Sequence, residues 1–129
     1  MHRVLLVLDS EDLSAVLHKK LSTDFEVKVC DAATAAETID HYQPDALILD
    51  LFLPGTDGFQ ILQNATFSVP SIILLTLLVS SDILVRAAEL NINYIFLKPF
   101  KQSALIKRLY ALLSVDDKKK RPSCFQKGQ

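Results

Sequence analysis

The feature that most constrains this chain is a set of short apolar runs, each of which ends at a polar side chain. Arg3–Leu8 (RVLLVL) leads to Asp9, Ala46–Leu49 (ALIL) to Asp50, Ile72–Leu75 (IILL) to Thr76, and Tyr94–Leu97 (YIFL) to Lys98. A run this short with no polar alternation suits a strand covered on both faces, the situation inside a parallel sheet. Phe25–Cys30 (FEVKVC) alternates apolar and polar residues and therefore predicts a half-buried outer strand.

Segments of helical period separate these runs. Ser10 or Asp12 is placed to cap a helix with Leu13, Val16, Leu17 and Leu21 on its inner side. Ala32–Tyr42 is helical in pattern, with Ala36 and Ile39 facing in and Pro44 closing it. Asp57–Ala65 predicts a short helix that turns Phe59 and Leu62 inward. Ser81 or Asp82 caps the next, with Leu84, Ala87, Ala88 and Leu90 as its apolar side. The last, Gln102–Ser114, carries Leu105, Leu109, Leu112 and Leu113 on one face, with Lys107 and Arg108 pointing outward. Five strands alternating with five helices predict an α/β fold with a doubly wound, five-stranded parallel sheet and helices on both faces.

With 129 residues, the chain has the length of one domain. The regular pattern covers 1–114. Residues 115–129 (VDDKKKRPSCFQKGQ) read as a solvated tail, or as the start of a linker to an output domain absent from this chain. The KKKR run reads as a soluble linker rather than a nucleic-acid contact, and a net charge of −1 gives no electrostatic footprint for nucleic acid. The longest apolar run, Ile72–Val79, is interrupted by Thr76 and is far short of a membrane span. The opening MHRVLLVLDS reaches an acid too early for a signal peptide. Cys30 and Cys124 therefore read as reduced thiols, and they form no metal-ligand spacing with His2, His18 or His41. A cytoplasmic protein without membrane contact is expected.

Parallel strands finish along one edge of their sheet, where open α/β folds place ligands, so Asp9, Asp50, Thr76 and Lys98 are expected to converge. Two carboxylates offer hard oxygen ligands to Mg²⁺, which favours one or two carboxylates together with water and phosphate oxygens. One carboxylate can also attack phosphorus and form an acyl phosphate. Lysine supplies a compact positive charge for phosphate oxygens. A threonine hydroxyl can hydrogen-bond the new phosphoryl group and move with it, which makes a switch rather than a turnover site. A stand-alone hydrolase is disfavoured, because no second acid or histidine is placed as a general base. The chain is expected not to be an enzyme.

Over about residues 2–114 the chain resembles the receiver domains of response regulators in bacterial two-component signalling. The family's Asp-x-x-x-Pro-x-x-Asp-Gly motif appears as Asp50, Pro54, Asp57 and Gly58. Thr76 matches the switch Ser/Thr that ends the fourth strand, and Lys98-Pro99-Phe100 matches the family's Lys-Pro-Phe. The resemblance implies a flavodoxin-like strand order 2-1-3-4-5 and a cis Lys98–Pro99 bond. It makes Asp50 the residue phosphorylated by a sensor histidine kinase or phosphotransfer protein. Mg²⁺ would be held by Asp9, Asp50 and the backbone carbonyl of Phe52. Lys98 and Thr76 would read the phosphoryl group, any autodephosphorylation would be slow, and the signal would leave through the fourth helix, fifth strand and fifth helix. The tail and the size suggest the receiver part of a longer transcription regulator, or a single-domain regulator; a homodimer is possible, and DNA would be reached only through an output domain.

Three positions depart from the family. With Leu13 on the inner side of the first helix, Asp9 falls on the second of the family's two adjacent acids and Leu8 on the first. A register that puts Ser10 there instead turns Leu13 outward. Leu77 follows the threonine where the family prefers a small residue, and Leu77-Leu78-Val79 would either cover the site or form an exposed patch for a partner. Ile95 occupies the place of the family's aromatic switch residue, and Tyr94, one earlier, lies on the opposite face by strand alternation. Two readings follow: a working Mg²⁺-dependent phosphoacceptor, or a degenerate receiver that acts as an interaction module without phosphate.

Overall fold

The computed structural model describes residues 1–113; the predicted tail lies outside the described residues. Five parallel strands form one sheet: β1 (Arg3–Val7), β2 (Glu26–Val29), β3 (Ala46–Asp50), β4 (Ser71–Thr76) and β5 (Tyr94–Leu97), in the order β2-β1-β3-β4-β5. The helices are α1 (Glu11–Leu21), α2 (Ala35–Tyr42), α3 (Gly58–Asn64), α4 (Ser81–Glu89) and α5 (Gln102–Leu113). This is the doubly wound, flavodoxin-like α/β architecture. A two-residue antiparallel hairpin, Phe52–Leu53 with Thr56–Asp57, sits between β3 and α3. The alternation of the strands gave no sign of it. Gly55 turns it with a φ of 77°, a backbone that costs glycine nothing.

Three of the apolar runs, those of β1, β3 and β4, form strands covered on both faces; the fourth, β5, departs from that expectation, because it lies at the sheet edge and leaves Tyr94 and Leu97 exposed. Along β1 and β3, alternate residues join opposite cores: Val4, Leu6, Ala46 and Ile48 face α1 and α5, whereas Leu5, Val7, Leu47 and Leu49 face α2 and α3. The strand β2 lies at the sheet edge, as expected, but is more exposed than its alternation predicted: only Val27 within it is half-buried, and Val29 faces solvent.

Helix faces depart from the periodicity in four places; on α2 the fully buried alanine is Ala35 rather than Ala36, with Ile39 buried as expected. On α1, Ser10 rather than Asp12 is the cap, its side chain accepting the Leu13 N–H. Ser14, Leu17 and Leu21 are buried there and Val16 is exposed, because the inward stripe runs through 13, 14, 17 and 21 rather than 16. In α3 the fully inward side chain is Ile61, and Phe59 and Leu62 are only half-buried. On α4 the cap is Ser80, one residue before those expected, and only Ala87 is buried. Leu84 and Ala88 point to solvent, and Ile83 rather than Leu84 packs against the core. The start of α2 is also later than its pattern suggested: Asp31 accepts from the Thr34 N–H and hydroxyl, a local turn that competes with helix before Ala35.

Candidate functional site

Sheet register sets the site. Asp50 ends β3 opposite Leu75, and Thr76 ends β4 opposite Leu97, so Lys98 follows at the same edge. The Leu51 N–H bonds to Leu75 O at 2.8 Å and the Lys98 N–H to Thr76 O at 2.8 Å, which carries the ladder just past the strand ends. The Lys98–Pro99 bond is cis.

Asp50 is 1% exposed, an environment in which a carboxylate needs partners. The Asp9 backbone N–H donates to its Oδ2 at 2.7 Å. Its Oδ1 lies 2.8 Å from the Lys98 ammonium. That contact is at ion-pair distance but off the direction of a hydrogen bond, so Oδ1 has no aligned donor among the described residues. The electrostatic contact matters more than the missed alignment, because at this separation the ammonium compensates the buried charge in any orientation. Oδ1 is thus a buried acceptor with room in its hydrogen-bonding capacity.

Asp9 is exposed and lies two residues beyond β1. Leu8, at the family's other acid position, is half-buried and packs against the core shared with α1 and α5. Leu13 packs there as well, which supports the alignment that puts Asp9 beside Asp50. Phe52, whose carbonyl was expected as a metal ligand, opens the hairpin and pairs with Asp57 two residues past the carboxylate. Asp57 caps α3 by accepting the Gln60 N–H at 2.9 Å. Gly58 is required where it stands: a Cβ there would meet the Asp50 carbonyl oxygen at 2.8 Å and Leu49 side-chain carbons at 3.1 Å. The motif glycine therefore lets α3 begin flush against the end of β3.

Thr76 is buried at the strand end. Its hydroxyl donates to the Leu78 carbonyl at 2.8 Å and accepts from the Leu78 N–H at 3.3 Å. The loop that follows is open: Leu77 is 67% exposed, so Leu77-Leu78-Val79 forms a surface patch rather than a cover. Ile95 packs into the α2–α3 side with Ile83 and Ile92. Tyr94 lies on the other face, its ring 4.8 Å from Phe96 and beneath the Arg108 guanidinium at 4.1 Å. The tyrosine is therefore not aligned with Thr76 in place of Ile95.

A groove of about 1140 Å³ opens beside Asp9, between the first turns of α1, the end of β2, the loop before α2 and the hairpin residues Leu53 and Pro54. Cys30 lines it, and burial pushes its thiol above the usual range, which keeps it protonated and a poor metal ligand. Among the described residues no three His, Cys, Asp or Glu side chains gather as a metal cluster. A set of two carboxylates and a carbonyl needs no third. The donors fit Mg²⁺ in kind: hard oxygens, one of them a buried carboxylate oxygen without an aligned donor.

The sequence model of the response regulator receiver domain family matches residues 4–110. The chain belongs to that family, the receiver domains of two-component signalling. Among solved structures it is similar to the non-phosphorylated HemR receiver domain of Leptospira biflexa (26% identity, 96% of this chain and 100% of that one, TM-score 0.78). It is also similar to the BeF3-activated receiver domain of Klebsiella pneumoniae RstA (28% identity, 86% of this chain and 97% of that one, TM-score 0.70). Vibrio cholerae chemotaxis protein CheY4 shares the fold at 24% identity, covering 87% of this chain and 98% of that one with a TM-score of 0.72.

Proposed function

We propose that the chain is a phosphoacceptor switch in which Asp50 takes a phosphoryl group from a sensor histidine kinase or a phosphotransfer protein. The observation that carries this reading is the Asp50 carboxylate itself, buried at the sheet edge with Lys98 2.8 Å from Oδ1. A carboxylate oxygen attacks phosphorus, the bond from phosphorus to the donor's imidazole nitrogen breaks with its electron pair going to that nitrogen, and an acyl phosphate remains on Asp50. Lys98 supplies positive charge for the phosphoryl oxygens, and the Asp9 N–H holds the carboxylate in place. Thr76 stands one strand over to read the product. Mg²⁺, held by Asp9, Asp50 and the Phe52 carbonyl, would neutralise charge on the transferring group. We further propose that the protein works in the cytoplasm, with 1–114 as the receiver and α4, β5 and α5 as the face that passes the signal on, to a homodimer partner or to a transcription-regulating output domain. No helix among the described residues is long and apolar enough to cross a membrane.

The test is incubation with Mg²⁺ and acetyl phosphate, followed by intact-mass measurement. One added phosphoryl group is expected in the wild type and none in Asp50→Asn. A folded wild type that gains no mass refutes the switch.

A second reading, a degenerate receiver that binds its partner without phosphate, draws on Leu8 serving as core rather than as an acid, and on Ile95 packing inward where an aromatic would move. It predicts partner binding that Asp50→Asn leaves unchanged.

A further inference from the structure

At about 1140 Å³, the groove beside Asp9 exceeds the roughly 300–1,000 Å³ of small-molecule pockets, which suits a length of chain better than one small ligand. Its rim is acidic. Asp9, Glu11 and Asp31 are exposed along it, and among the described residues none of the three forms an ion pair. Lys28 is the one lysine or arginine on the lining, and its ammonium sits over the Tyr42 ring, 5.6 Å from the centroid. The sequence holds a single run of four basic residues, KKKR at 118–121, and the phosphoacceptor reading gives it no role.

The fold sets how far that run can reach. On the last turn of α5 the Tyr110 hydroxyl donates to Asp24 and the ring lies 5.0 Å from Phe25, while Leu113 shares a core with Leu21 and Phe25. The chain therefore leaves α5 beside the entry to β2. From Phe25 that strand leads to Cys30 on the groove wall, a distance of about 16 Å at the usual strand rise. Lys118 follows Leu113 by five residues and Arg121 by eight, which spans about 16–26 Å of extended chain. The tether matches the gap.

We propose that the basic run at 118–121 docks in this groove, with its ammonium and guanidinium groups on Asp9, Glu11 and Asp31. Tethering over such a span gives an effective concentration in the millimolar range, so contacts too weak to hold a free peptide suffice. A foreign basic peptide, or the tail of a second copy, presents the same charges without that advantage. Because the Asp9 N–H binds the Asp50 carboxylate, the docked run lies at the margin of the phosphoacceptor site. The inference rests on the groove and the charges, not on phosphoryl transfer.

Paramagnetic broadening in the full 129-residue chain tests it, with Cys30→Ser and a nitroxide on Cys124, three residues beyond Arg121. Loss of the amide peaks of residues 32–38 and of the first turn of α1 is expected, with recovery in high salt. The same recovery is expected from Lys119→Glu with Lys120→Glu, and from Glu11→Gln with Asp31→Asn; retained peak dispersion shows that each variant is folded. Nitroxide-bearing chains mixed with isotope-labelled chains that carry none should leave the peaks intact, because docking occurs within one chain. Groove peaks that survive in the labelled chain, broadening that neither salt nor the charge changes relieve, or broadening that arises only between chains overturns the proposal. Acetyl phosphate labelling of the same samples reports on Asp50 separately, so either reading can fail while the other stands.

Discussion

Helices α4 and α5 flank the same end of the sheet, one on each face, and use their apolar residues in opposite ways. In α5, Leu105, Leu109 and Leu113 all go into the core, while Lys107 and Arg108 stay in water. In α4 only the small Ala87 is buried, and the larger Leu84 and Val85 face out. Both helices have a regular apolar stripe, so periodicity alone assigns both stripes to the core. The difference shows that an apolar stripe in the sequence does not by itself fix which side chains a helix buries.

The sharpest way to break this comparison is a matched pair of truncations. Leu109→Ala should cost about 2–5 kcal/mol of unfolding free energy, the range for a fully buried leucine. Leu84→Ala should stay within about 0.5 kcal/mol, as surface changes do. Urea titrations of the two variants measure both, and equal losses would erase the distinction. A smaller effect follows at the start of α4, where the Ser80 side chain accepts the Ile83 N–H at 3.2 Å. Ser80→Ala should cost about 1 kcal/mol. Because α4 has so little burial behind it, hydrogen exchange of its amides should quicken while that of α5 is unmoved. The smallest effect belongs to the outer face of α5. Arg108→Gln removes the guanidinium 4.1 Å above the Tyr94 ring, at a cost of about 0.5 kcal/mol in the same titration. A loss as large as that of Leu109→Ala would mean that this face of α5 is core rather than surface.

Much of the architecture was legible because β1, β3 and β4 are apolar without interruption, a pattern that only double coverage explains. Asp50, Thr76 and Lys98 were legible for the same reason, since each is a polar residue at the end of such a run. What the pattern hid were choices settled in three dimensions. Ser14 replaces Val16 on the inner side of α1 because burial tolerates a small hydroxyl where the helix stripe demands it. The outward Leu84 could not be told from the inward Ile83 one residue earlier. The Asp9 N–H contact with Asp50 and the clasp of Thr76 on Leu78 each join a side chain to a backbone group, which no side-chain pattern records. Gly58 did carry a signal: a glycine directly after a helix-capping Asp57 asks what approaches too closely for a Cβ, and the answer is the Asp50 carbonyl.

The Thr76 hydroxyl owns a single proton, and that proton is already given to the Leu78 carbonyl. A phosphoryl oxygen that drew it away would leave the carbonyl to water, which reaches the half-exposed Leu78. One hydrogen bond would be traded for another, and the one to a charged phosphoryl oxygen is the stronger. The proposed switch would therefore be driven by the phosphoryl group itself, with the Leu78 carbonyl passing to solvent.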